Sequence, residues 1–81
     1  MNIKKNEFED LIFCSFRYAL GRRTYIVSTV AEIILKHKDV ITNNTKHLMI
    51  KEILEAVEKN QAGMDCDVHM WKTVVDELRG V

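Results

Sequence analysis

A chain of 81 residues is one domain at most, and 47 % apolar content is enough to fill its core. Net charge is zero, with residues 1–23 at +2, residues 24–47 at +1 and residues 48–81 at −3, which argues against a protein that coats nucleic acid through one strongly basic face. No apolar run is long enough to span a bilayer, and Cys14 and Cys66 do not make a disulfide framework, so a reduced, cytoplasmic setting is the expectation.

There is no proline, which favours uninterrupted helices, and Gly21, Gly63 and Gly80 fall where helices would end. The spacing predicts a first helix over residues 7–20. Asn6 followed by Glu9 has the form of a capping box. Phe8, Leu11, Ile12, Phe16 and Ala19 form one apolar stripe, and Phe13, Cys14, Tyr18 and Leu20 spread apolar character beyond it. Three neighbours can hardly enclose such a helix, so part of its surface is expected to meet another subunit. Lys4 and Lys5 lead into Glu7, Glu9 and Asp10, so this start does not read as a secretory signal.

Gly21 is placed to end the first helix, and Arg22 and Arg23 form the turn. Thr24 reads as the N-cap of a second helix that runs to about Lys38. Its core face would carry Ile26, Val27, Val30, Ala31, Ile33, Ile34 and His37, with Tyr25 on the wet side near Thr29. Thr42, Asn43 and Asn44 are start signals for a third helix, about residues 45–60, burying Met49, Ile50, Ile53, Ala56 and Val57. A fourth helix, about residues 68–79 and capped by Asp65 or Asp67, would bury Met70, Trp71, Val74, Val75 and Leu78. Short connections imply antiparallel neighbours, so the fold class is all-α, a compact four-helix domain.

Chemistry concentrates in Arg17-Tyr18-Ala19-Leu20-Gly21-Arg22-Arg23-Thr24-Tyr25, which holds three arginines and both tyrosines. A helix N-terminus offers free amides and the positive end of a dipole, and guanidinium forks suit phosphate or carboxylate. Arg17, Tyr18, Arg22, Arg23, Thr24 and Tyr25 are therefore the candidate ligand-binding residues. The competing explanation is that these arginines pair with the acidic C-terminal half, for example with Asp76 and Glu77.

Asp65-Cys66-Asp67-Val68-His69 has one Cys-x-x-His and no second pair, so no metal centre is expected. No P-loop and no nucleophile–histidine–carboxylate spacing is present, so neither catalysis nor a cofactor is expected. His37 reads as a core-edge histidine, and Trp71, Met49, Met64 and Met70 read as packing. Helices two and three as a DNA-reading pair are disfavoured by the acidic outside of the third.

The stretch Phe16-Arg17-Tyr18-Ala19-Leu20-Gly21-Arg22-Arg23-Thr24-Tyr25-Ile26-Val27, with Gly63-Met64-Asp65-Cys66-Asp67 and Trp71 later, resembles a group of small proteins encoded by phages and prophages of Firmicutes. The resemblance implies an accessory protein acting in the host cytoplasm. Such proteins often counter host immunity, some as helical oligomers that sequester nucleotide signals and others by blocking a defence enzyme. The expected function is capture of a small anionic, nucleotide-like ligand without catalysis, in a homo-oligomer formed through the first helix. The alternatives are an inhibitor or adaptor of a host defence protein, and a purely structural oligomer.

Overall fold

The computed structural model describes residues 5–80, with side chains from Glu7 onward. Four helices follow one another: α1 (Lys5–Ala19), α2 (Thr24–Lys36), α3 (Asn43–Glu58) and α4 (Asp65–Leu78), with a short 3₁₀ turn at Lys38–Val40. No strand occurs among the described residues, so the all-α four-helix expectation holds. None of these helices is long and apolar enough to cross a membrane.

The boundaries differ from expectation at the caps. α1 starts at Lys5, so Asn6 lies within the helix and not at its N-cap; its side chain is outside the described ones. Glu9 instead accepts a hydrogen bond from the Thr42 amide, across from the start of α3. Thr24 is the first residue of α2, and the N-cap is Arg23. α2 stops at Lys36, two residues early, because His37 leaves helical geometry and leads into the 3₁₀ turn. Thr42 caps α3 by accepting from Thr45. Asn60, in the left-handed region at φ 58°, turns the chain out of α3. α4 begins three residues earlier than the periodicity suggested, with Met64 as N-cap and the Asp67 carboxylate accepting the Met64 amide at 2.9 Å.

Contacts close the helices into a ring in the order α1, α2, α4, α3. Helices joined by short turns, α1 with α2 and α3 with α4, are antiparallel. α2 and α4 run parallel: Thr24 touches Cys66 at their N-terminal ends, and Lys38 beyond α2 pairs with Glu77 near the end of α4 at 2.8 Å. The chain is thus two antiparallel hairpins side by side. The 37–42 segment crosses the bundle diagonally between them.

The core explains this closure. Ile12, Phe16 and Ala19 of α1, Val27, Ala31 and Ile34 of α2, Met49 and Ile53 of α3, and Trp71, Val74 and Val75 of α4 are buried. Each large apolar side chain fully removed from water contributes about 1.5–3 kcal/mol. Two of the expected core positions face out. Leu11 is 54 % exposed, because it stands about 100° round α1 from Ile12 and beyond the reach of either flanking helix. Ile33 is likewise exposed at 39 %.

The two hairpin turns meet at one end. Gly21 has φ +84°, and a Cβ there would lie 2.9 Å from the Gln61 carbonyl oxygen. Left-handed backbone and close approach both require glycine at this position. The α1–α2 corner is thereby seated against the α3–α4 loop.

Candidate functional site

At that end lies an open depression of about 630 Å³. Tyr18 and the run 21–26 line one side, and Met64 and Asp67 line the other. The sequence-selected residues Tyr18, Arg22, Arg23, Thr24 and Tyr25 are therefore brought together. Arg17 is not among them.

Arg17 crosses the Phe13 ring, its guanidinium carbon 4.4 Å from the centroid, and reaches Glu52 on α3. Nη2 stands 3.0 Å and Nε 3.2 Å from the two carboxylate oxygens. The hydrogen bond to Glu52, with that group's negative charge, holds the Arg17 proton more firmly than usual. For this arginine the salt-bridge explanation is the correct one, although its partner is Glu52. Glu77 pairs with Lys38 instead.

Arg22 and Arg23 form no ion pair among the described residues. Arg22 lies over the Tyr18 ring at 4.7 Å, and its Nε donates to the Tyr18 carbonyl at 3.2 Å. These contacts fix the stem of the side chain. They leave both terminal nitrogens without a hydrogen-bond partner among the described residues. Tyr18 and Tyr25 are 58 % and 64 % exposed, so two aromatic faces border the depression without serving the core.

The start of α2 supplies the second element. Its first turn holds no acidic residue, and Arg23 at the N-cap makes no side-chain capping bond. The Arg23 carbonyl accepts from the Ile26 and Val27 amides, while the amides of Thr24 and Tyr25 precede the first intrahelical bonds. α4, parallel and adjacent, begins at the same end but is treated differently: Asp65 and Asp67 occupy its first turn and offset its dipole. The positive end left open is that of α2.

Asp67 is the residue that sequence reasoning missed as part of the site. It is 2 % exposed, the one buried charged side chain among the described residues. Oδ2 takes the Met64 amide, and Oδ1 has no hydrogen-bond partner among the described residues. The Asp-x-Asp spacing signalled a helix start, but not that the second carboxylate would be enclosed. Met64, expected in the packing, is instead 72 % exposed at the rim.

The remaining chemistry lies elsewhere. His37 packs edge-on against Phe8 with ring centroids 5.1 Å apart, as a core-edge histidine. Among the described residues no group of three or more His, Cys, Asp or Glu stands close enough to hold a metal ion. Two guanidinium groups, two phenols and one enclosed carboxylate line the depression, with the start of α2 beside them. Comparison of the chain with protein-family models, with curated proteins and with solved structures finds no match.

Proposed function

We propose that this chain is a non-enzymatic binding protein that captures a small anionic ligand of nucleotide size at the α1–α2 corner. The observation that carries this reading is the uncapped, acid-free start of α2 opening beside Arg22 and Arg23, neither of them in an ion pair among the described residues. A phosphate there would take the terminal nitrogens of Arg22 and the amides of Thr24 and Tyr25. Tyr18 and Tyr25 would stack on an attached base. The volume of about 630 Å³ falls in the range of roughly 300–1,000 Å³ usual for small-molecule sites. The resemblance to phage accessory proteins supports a role in sequestering a nucleotide-type immune signal, for which affinity and abundance suffice.

Calorimetry against mono-, di- and cyclic nucleotides tests this. At least one should bind wild type, and Arg22→Ala/Arg23→Ala should weaken it tenfold or more, since charge-assisted bonds are each worth about 1.5–3 kcal/mol. Binding to no member of the panel, or equal binding by the double variant, rejects the proposal.

A second reading rests on α1. Leu11, Cys14 and Tyr18 recur at helical spacing on its outer face, with Leu11 and Tyr18 more than half exposed. This stripe supports self-association through α1, or docking of a defence protein. Light scattering of wild type beside Leu11→Glu distinguishes them: a larger species that Leu11→Glu reduces to monomer supports self-association, and a strict monomer removes it.

A further inference from the structure

The outer face of α1 is patterned, and the pattern says what fits it. Glu7, Leu11, Cys14 and Tyr18 are all exposed and recur at intervals of four, three and four residues, the seam spacing of a coiled coil. Glu7, Asp10, Leu11 and Cys14 line a shallow hollow of about 330 Å³. Four residues in that relation on one helix form the hole that receives a knob from a facing helix. Asp10 and Arg17, seven residues apart, border the seam on one edge.

Charge decides which helix faces it. Asp10 is exposed and in no ion pair among the described residues. Arg17 gives Nε and Nη2 to Glu52, while its Nη1 has no hydrogen-bond partner among the described residues. An antiparallel copy of α1, with the two-fold axis between Leu11 and Cys14, sets Leu11 on Cys14 of the other copy. The same register brings Asp10 beside the other copy's Arg17, and symmetry makes that pair twice. The opposed helix dipoles add to the attraction. A parallel copy would instead turn Arg17 toward Arg22 of its neighbour and leave Asp10 opposite Ser15. We infer that this face is covered by a second copy of the chain, its α1 antiparallel and held in register by two Asp10–Arg17 pairs. The inference rests on the reading of α1 as a self-association surface. The seam is about two heptads long, so the dimer belongs to the weak class of interfaces.

Sedimentation equilibrium at low salt tests it on wild type, Leu11→Glu, Asp10→Arg and Asp10→Arg/Arg17→Asp. Wild type should form a dimer that salt weakens, and Leu11→Glu should leave monomer. Asp10→Arg sets like charges together twice and should weaken the dimer about tenfold. The double exchange preserves net charge and should restore most of that loss. An Asp10→Arg dimer as tight as wild type, or a folded double variant no tighter than Asp10→Arg, overturns the antiparallel register. The α1 surface still stands in that case if Leu11→Glu gives monomer. A wild type that remains monomeric up to about 1 mM, or a dimer indifferent to Leu11→Glu, overturns both and leaves the face to a different protein. Wild type alone gives a second readout that needs no variant to fold. Cys14 should react more slowly with a thiol reagent as protein concentration rises, while Cys66 should not. Cys14 slowing no more than Cys66 overturns the seam.

Discussion

Phe16 and Trp71 stand edge to face across the diagonal of the bundle, ring centroids 5.5 Å apart and planes at 89°, both fully buried. They tie α1 of one hairpin to α4 of the other. Replacing Trp71 by Ala should destabilise the fold by about 3–5 kcal/mol, a large share of what a domain this size possesses. Urea titration followed by far-ultraviolet dichroism reads this. A loss below about 1 kcal/mol would show that the diagonal contact is not central to the core.

Gly63 and Gly80 both have positive φ, +95° and +76°, but only Gly63 is crowded. Gly80→Ala meets nothing within 4 Å and should cost about 1 kcal/mol for backbone alone. Gly63→Ala also drives a methyl into Asp67 and threatens the α4 cap, so its cost should be larger, about 2–4 kcal/mol. Melting temperatures of the two variants side by side isolate the steric part. Equal shifts would mean that Asp67 moves freely.

Arg17→Ala should leave nucleotide and pyrophosphate affinity unchanged, because its guanidinium is committed to Glu52. Its effect on the melting temperature should be small, as for an exposed ion pair, and should shrink further in salt. A loss of affinity comparable to that of Arg22→Ala would return Arg17 to the site.

Cys14 and Cys66 are both exposed and unpaired. A thiol reagent should titrate two groups in the native protein without denaturant. Modification of Cys66 should be slowed by a ligand in the depression, since its sulfur lies 3.8 Å from the Thr24 hydroxyl at the start of α2. Cys14, one turn before Tyr18 on α1 and not among the residues that line the depression, serves as the internal reference. Equal protection of both thiols would point to a general change in the fold rather than local occupancy.

Helix identity was legible because apolar side chains recur at the helical period and because glycines punctuate the chain. Ile34, Met49 and Trp71 fall on the buried side as their spacing requires. Leu11 shows the limit of that logic, since periodicity marks a broad arc and only the neighbours decide how much of it is covered. The grouping of Tyr18, Arg22, Arg23, Thr24 and Tyr25 was legible because a helix–turn–helix corner is local. Arg17 was not, because its direction is set by Phe13 and Glu52, the latter 35 residues away. Asp67 was invisible for a related reason: enclosure of a carboxylate depends on how α4 settles beside α2, and no local pattern encodes a parallel pair joined through a diagonal crossing.

That crossing has a practical consequence. The depression takes Tyr18 and residues 21–26 from one hairpin and Met64 and Asp67 from the other, so neither half of the chain possesses it alone. Cutting at exposed Asp39 divides the molecule between the halves without severing a long helix. Two fragments made this way would need to reassemble before they could hold anything. A small molecule that bridges the seam would then act as a dimeriser, raising their mutual affinity by the factor 1 + [L]/Kd. The protein in that form would report any molecule that occupies the depression, without any variant at the site.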